Sequence, residues 1–236
     1  MALVIVGQIT LTCKENRRNR VNGEEDNLTQ KRNDMVDTQL AGRDIMDAKV
    51  LQAMRTVPRH AFVSDSLQNQ AYADWPLPIG YQQTISQPYI VAFMTEALAV
   101  RSGHKVLEVG TGSGYQAAVL AELGAEVYTI EIIPELGKHA AETLKQLGYN
   151  VHSRVGDGCN GWPEAAPFDG ILVTAAPEFV PAPLIEQLKE GGRLVIPVGR
   201  YEQTLKVLQK KNGQLSPLGS LPVRFVPMTG KIQDRK

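Results

Sequence analysis

Two sets of residues in this chain have the types and spacing to hold a reactive ligand. The first is Val106-Leu107-Glu108-Val109-Gly110-Thr111-Gly112-Ser113-Gly114-Tyr115, a short apolar run followed by alternating glycines. Gly110, Gly112 and Gly114 let the backbone turn sharply and approach a ligand where side chains would obstruct it. The second is Glu131, which closes the run Val127-Tyr128-Thr129-Ile130. It falls about twenty residues beyond the glycines, where doubly wound folds place a carboxylate that accepts hydrogen bonds from ribose hydroxyls. The glycine run alone would also fit a plain strand-to-helix turn. Together with Glu131 it describes a site for a nucleotide-like ligand.

The spacing narrows the ligand. A dinucleotide fingerprint wants G-x-G-x-x-G, whose third small residue packs helix against strand, but Tyr115 stands at that position. The observed G-x-G-x-G, with acidic Glu108 two residues before it, resembles motif I of the class I S-adenosylmethionine-dependent methyltransferases. Physical chemistry agrees with the resemblance. That ligand carries a sulfonium and an amino group that favour nearby carboxylates, and it has no pyrophosphate to seat on a helix N-terminus. Farther on, Gly156-Asp157-Gly158 follows a third apolar run, so Asp157 could accept a hydrogen bond from an adenine amino group or merely close a loop between glycines. After a fourth run comes Thr174-Ala175-Ala176-Pro177, not the acidic or amide residue, Pro-Pro and aromatic with which exocyclic-amine methyltransferases grip a flipped base.

The acceptor is suggested by Leu77 to Pro88, where Thr84-Ile85-Ser86-Gln87-Pro88 stands out. With Val57-Pro58-Arg59-His60-Ala61-Phe62-Val63, motif I, Gly156-Asp157-Gly158, Val173-Thr174-Ala175-Ala176 and Arg224-Phe225-Val226-Pro227, the chain resembles the protein-L-isoaspartate O-methyltransferase family over roughly residues 33–230. The resemblance implies protein repair: methyl transfer from S-adenosylmethionine to the free α-carboxylate of L-isoaspartyl residues, leaving S-adenosylhomocysteine, followed by succinimide closure and return of normal aspartate. It also implies that Ser86 holds the acceptor carboxylate, with Gln83, Thr84, Ile85 and Pro88 around it. Ser86 could instead serve only an ST-turn before Pro88. The cofactor set is Glu108, Gly110, Thr111, Gly112, Ser113, Gly114, Glu131, Asp157, Gly158 and Thr229. Tyr81 departs from the small or flexible residue expected before the glutamines.

The elements that must position these groups follow from periodicity. Residues 33–57 read as one or two amphipathic helices broken near Gly42, residues 58–88 as an irregular, turn-rich segment, and residues 89–100 as a helix. Strands at 105–109, 126–131, 151–155, 169–174 and 193–198 alternate with helices at 114–123, 134–147 and 181–190, giving α/β with a doubly wound, mainly parallel sheet. Asn212-Gly213 is a hairpin turn pair between two further strands in residues 204–226, so the seven-stranded methyltransferase fold is expected to end in antiparallel strands. Residues 31–100 form a helical cap and substrate segment, and residues 101–236 the cofactor-binding core of a single domain.

The chain has 236 residues, 43% hydrophobic, and formal net charge +0, which removes a global argument for capture by nucleic acid or an anionic membrane. Cys13 and Cys159 show no metal or disulfide spacing, nor do the four histidines. No metal is expected, and His60, His104, His139 and His152 read as surface or capping residues. Trp75 and Trp162 read as packing anchors, with Trp75 also a candidate for a peptide groove. Residues 1–30 read as a mobile tail: Met1 to Cys13 is apolar but too short for a bilayer and without the leading charge of a secretory signal, and the stretch after it is polar. A cytoplasmic monomer acting on isoaspartyl proteins and peptides is expected, with export the minority reading that the apolar run at Met1 to Cys13 leaves open. A class I methyltransferase with another acceptor, or a silent S-adenosylmethionine-binding module, are the competing readings.

Overall fold

The computed structural model describes residues 25–230; Met1 to Glu24, which hold most of the expected tail and Cys13, lie outside the described residues. Residues 25–30 were grouped with that tail by polarity, yet they begin a helix, α1 (residues 25–35), because Leu28 finds apolar partners on the main core. The helix widens into a π-helical turn at Val36–Ala41 and stops at Gly42, where a Cβ would sit 2.8 Å from the Thr38 carbonyl oxygen. Helix α2 (Ala48–Thr56) is capped by Asp47, which accepts the Lys49 N–H at 2.8 Å, and buries Val50, Ala53 and Met54 on one stripe.

The segment expected to be irregular is more ordered than its composition indicates. Two 3₁₀ turns, Arg59–Phe62 and Asp65–Gln70, lead into an antiparallel hairpin of β1 (Leu77–Gly80) and β2 (Gln83–Ile85). The hairpin lacks an Asn-Gly signal because its turn runs through Tyr81 (φ 50°) and Gln82 (φ 58°), two side-chain-bearing residues in left-handed backbone. This gives the departure at Tyr81 a structural meaning: the position needs positive φ. Helix α3 (Pro88–Leu98) follows with Pro88 at its first turn.

The remaining elements build the expected sheet. They are β3 (Lys105–Val109), α4 (Tyr115–Glu122), β4 (Glu126–Glu131), α5 (Pro134–Gln146), β5 (Val151–Val155), β6 (Phe168–Val173), α6 (Ala182–Gln187), β7 (Leu188–Val198), β8 (Gln203–Lys211) and β9 (Gln214–Val223). Their order is β5-β4-β3-β6-β7-β8-β9, parallel through β7 and antiparallel for β8 and β9. Alternate residues feed two cores. Val106, Val127, Leu172 and Val195 face the helical cap side, while Leu107, Ile130, Ile171 and Leu194 face the other. The sixth helix is shorter than its sequence pattern: β7 already starts at Leu188, and Gly191-Gly192 carries the strand past a register irregularity, with a Gly192 Cβ only 2.9 Å from the Asp169 carbonyl oxygen. No helix among the described residues is long and apolar enough to cross a membrane.

Strand order reverses between β3 and β6, so the carboxyl ends of β3, β4 and β6 open a crevice. The hairpin is held over it through Asp74. Asp74 Oδ1 accepts the Tyr89 N–H at 3.0 Å, supporting an α3 N-terminus that has no side-chain cap of its own, and Oδ2 accepts from Gln87 Nε2 at 3.4 Å. Arg43 pairs with the same carboxylate at 3.0 Å and lies 3.5 Å over the Tyr89 ring. Asp74→Ala should therefore cost about 1–2 kcal/mol in urea unfolding. Asp74→Asn, which keeps an acceptor for Tyr89, should cost clearly less; equal losses would refute the capping role.

Candidate functional site

A cleft opens at the strand ends between the glycine loop, the end of β4 and the hairpin side. Its floor is the glycine loop. The Gly110 and Thr111 N–H groups both donate to the Ile130 carbonyl oxygen, at 2.8 and 3.2 Å, which folds the loop back against the end of β4. Gly110 has φ 95° and would place a Cβ 2.3 Å from Thr174 Oγ1, whose hydroxyl donates to the Gly110 carbonyl at 2.6 Å. No side chain fits there. Gly112 lies under the hairpin, with Ile79 Cδ1 3.5 Å from the place of its absent Cβ.

Two carboxylates meet this loop in different electrostatic states. Glu131 is tethered at both oxygens, accepting the Gly112 N–H at 2.8 Å and the Ile133 N–H at 3.0 Å. Each oxygen keeps a further lone pair for a hydroxyl donor. Glu108 is fully buried; Oε2 accepts from Thr129 Oγ1 at 2.5 Å, Thr129 contacts Thr111 Oγ1 at 2.6 Å, and Oε1 has no hydrogen-bond partner. Burial pushes the Glu108 carboxyl up to about 8, the Thr129 bond opposes this, and the Glu131 charge adds to the rise. A buried carboxyl with one free oxygen facing a cleft fits a cationic ligand group, which would restore its ionised form. The donor set therefore matches a ligand bearing both a diol and a cation.

On the hairpin side, Gln83, Thr84, Ile85 and Ser86 reach the cleft. The Ser86 hydroxyl is partly exposed and makes no hydrogen bond among the described residues, so the ST-turn alternative does not form. Opposite it, residues 226–229 bring Thr229 to the rim. This segment is fixed by the Ala176 N–H to the Val226 carbonyl (2.9 Å), the Met228 N–H to the Ala176 carbonyl (2.8 Å) and a reciprocal amide pairing of Gln203 with Phe225.

Of the residues singled out by sequence, Gln83, Thr84, Ile85, Ser86, Glu108, Gly110, Thr111, Gly112, Ser113, Glu131, Gly158 and Thr229 line this cleft. Three are not brought to its wall. Pro88 is buried at the start of α3. Gly114 caps α4 at φ 91° with Leu144 and Ala140 filling the space beside it. Asp157 turns one oxygen to the Cys159 N–H at 2.9 Å, and a Cβ at Gly230 would lie 2.8 Å from its carboxyl.

Sequence reasoning passed over Thr174, Ile132 and Ile133, which also line the cleft. The signal available for Thr174 was its place directly after a buried strand. For Ile132 it was an apolar residue directly after Glu131 that remains 36% exposed. His60 is buried and hydrogen-bonded to Tyr72 Oη at 2.7 Å, not a surface residue, because the 3₁₀ turn folds it inward. Trp75 is 51% exposed and lines neither the core nor this cleft. No cluster among the described residues could hold a metal ion.

The raised Glu108 carboxyl makes stability depend on pH. Below about 4.5 the group is neutral in both states; between about 4.5 and 8 the unfolded chain releases a proton that the folded chain retains, so folded stability falls as pH rises. Above about 8 both states are ionised and this contribution is flat. Urea midpoints of the ligand-free protein should fall from pH 5 to pH 8 more steeply than those of Glu108→Gln; parallel curves would show that Glu108 does not titrate in this way.

The family model described as "Protein-L-isoaspartate(D-aspartate) O-methyltransferase (PCMT)" matches residues 30–233. The protein-L-isoaspartate O-methyltransferase of Opitutus terrae is 61% identical over 204 residues, covering 85% of this chain and 88% of its own. That of a Picosynechococcus species is 57% identical over 197 residues, covering 83% and 89%. Among solved structures, a Plasmodium falciparum candidate for the same activity, in complex with S-adenosyl-L-homocysteine, superposes with a TM-score of 0.72 at 26% identity, covering 84% of this chain and 98% of that one. A family match across nearly all of the described fold, joined to a cleft that brings the glycine loop and Ser86 together, makes this chain a member of the protein-L-isoaspartate O-methyltransferase family.

Proposed function

We propose that the cleft transfers a methyl group from S-adenosylmethionine to the free α-carboxylate of L-isoaspartyl residues in damaged proteins and peptides. The observation that carries this reading is one cleft holding both an unpartnered carboxyl oxygen on Glu108 and an unpartnered hydroxyl on Ser86. When bound, S-adenosylmethionine supplies a methyl group on a cationic sulfonium. Glu108 and Glu131 hold its amino and ribose groups, Gly110 and Gly112 give the backbone room for it, and Ile132 and Ile133 offer apolar surface to the base. Asp157 shapes the Gly158 turn from behind. Bound S-adenosyl-L-homocysteine in the Plasmodium falciparum structure supports the same ligand here.

The acceptor carboxylate is already ionised at neutral pH, so no residue has to remove a proton. What the chain must supply is position. Ser86 donates its hydroxyl to the acceptor carboxylate, while Gln83 and Thr84 add polar contacts and Ile85 packs the hairpin onto the core. Pro88 sets the start of α3, on which that turn stands. The methyl ester offers methoxide, a far better leaving group than the oxygen of a carboxylate, so attack by the next backbone nitrogen expels methanol and closes the succinimide, which water then opens without further catalysis. The enzyme works as a cytoplasmic monomer on this reading.

Two measurements test it. Labelled methyl transfer to paired peptides differing only in an isoaspartyl or aspartyl linkage should mark the isoaspartyl peptide alone, and Ser86→Ala should lower kcat/KM by about tenfold to a hundredfold, the loss of one hydrogen bond to a charged group, with S-adenosylmethionine affinity kept. Equal labelling of both peptides would overturn the acceptor assignment. Calorimetry at pH 6.5 in buffers of different ionisation enthalpy should show S-adenosylmethionine binding release about one proton, since Glu108 must ionise to meet a cation. The release should vanish in Glu108→Gln; its persistence there would place the proton elsewhere.

A further inference from the structure

The substrate chemistry of this fold has a candidate on the chain itself. Isoaspartyl linkages form most readily at Asn-Gly, where the glycine lacks a side chain that would hinder attack of its backbone nitrogen on the asparagine side chain. The described residues contain two such pairs, and they are held very differently. In Asn160-Gly161 the Gly161 N–H donates to the Gly158 carbonyl at 3.0 Å, Gln187 Nε2 donates to the Asn160 carbonyl at 2.8 Å, and a Gly161 Cβ would lie 2.2 Å from Gln187 Oε1. That backbone has no room to rearrange. Asn212-Gly213 forms the exposed tip of the β8–β9 hairpin, with nothing within 4 Å of a Cβ built on Gly213.

One side chain restrains this tip. Glu190, at the start of β7, accepts the Asn212 N–H through Oε1 and the Gly213 N–H through Oε2, the latter at 3.1 Å. The Gly213 nitrogen is the nucleophile of succinimide formation, and its proton must leave for it to attack. A carboxylate bonded to that N–H holds the nitrogen in the turn geometry, and its negative charge opposes the build-up of an amide anion. We infer that Asn212-Gly213 is a self-damage site kept in check by Glu190, and that its isoaspartyl product is a substrate for the cleft of a second copy of this chain.

The chemistry balances with water as the only co-reactant. The Gly213 nitrogen bonds to Asn212 Cγ, the nitrogen gives up its proton, and the side-chain amide leaves as ammonia. Water then opens the ring; where it adds at the former main-chain carbonyl, the chain continues through Cγ and the α-carboxylate is freed as a methyl acceptor. The acceptor cleft cannot belong to the same molecule. Strand β8 runs antiparallel to β7, with Thr204 opposite Val198 and Gln209 opposite Arg193, so the hairpin tip lies at the amino edge of the sheet. The cleft lies at the carboxyl edge, beside Gly110, Glu131 and Thr174. The reaction is therefore an encounter between copies.

This inference rests on the isoaspartyl reading above, and one experiment separates the two. Wild type, Glu190→Ala and Glu190→Ala/Asn212→Ser are incubated at pH 8 and 37 °C, and peptide mass mapping follows conversion of amide to acid at each asparagine. Each aged sample, and an isoaspartyl control peptide, is then given labelled S-adenosylmethionine and fresh wild-type enzyme. Conversion at Asn212 should be severalfold faster in Glu190→Ala than in wild type, Asn160 should stay intact, and base-labile label should appear on the peptide containing residue 212 but not in the double variant. Equal conversion rates in wild type and Glu190→Ala would overturn the clamp. Conversion without label at residue 212, while the control peptide is labelled, would overturn the self-substrate assignment. An unlabelled control peptide would count against the isoaspartyl reading itself.

Discussion

A carboxyl group with one oxygen left without a partner, wholly out of water, is the constraint on which this site depends. Desolvation of Glu108 disfavours its charge by several kcal/mol, and only one of its oxygens receives a hydrogen bond. Elsewhere in a core such a group would be replaced by an apolar residue of similar size. Here it sits in β3, the strand flanked by β4 and β6 and buried on both faces. The Thr129–Thr111 hydroxyl pair ties that carboxyl to the glycine loop. The folded chain avoids that penalty by keeping the carboxyl protonated below about 8, and a cationic ligand would favour its ionised form.

The backbone around that carboxyl is constrained by contact as well as by charge. Gly110 lets Thr174 bond across the β3–β6 junction, and Gly112 lets Ile79 descend onto the loop. These contacts come from distant parts of the chain. The loop is consequently a meeting place of β4, the carboxyl end of β6 and the small hairpin.

Much of this was legible in the sequence because it depends on local periodicity. The strands at 105–109, 126–131 and 151–155 match in full, and Gly42 marks the helix break. Gly110, Gly112 and Glu131, conspicuous by spacing alone, line the cleft. The hairpin at Leu77–Ile85 was not legible, because Tyr81 and Gln82 take left-handed backbone that composition assigns to glycine or asparagine, and docking of Leu77, Ile79 and Ile85 compensates. The early start of β7 was hidden for a similar reason: Gly191-Gly192 reads as a helix stop, whereas it lies within a strand that pairs across a register irregularity. Asp157 matched a pattern, but its orientation is set by the Cys159 N–H and the close approach of Gly230, neither of which local sequence encodes.

The division of labour between sheet and hairpin explains why the acceptor half sits where it does. Two strands of four and three residues are too small to be stable alone, so β1 and β2 hold their shape only while docked. Their docking points are Ile79 on the glycine loop and buried Leu77 and Ile85 on the cap core, with Asp74, just before β1, bonded to the start of α3. Two consecutive left-handed residues add strain of about 1–2 kcal/mol each to that unit. Ile79 rests on Gly112 of the glycine loop, so the hairpin, with Ser86 just beyond β2, is seated on the same loop that floors the cleft. Sheet and hairpin are thereby joined through a packing contact, with the strained turn at Tyr81-Gln82 held by docking and not by local preference.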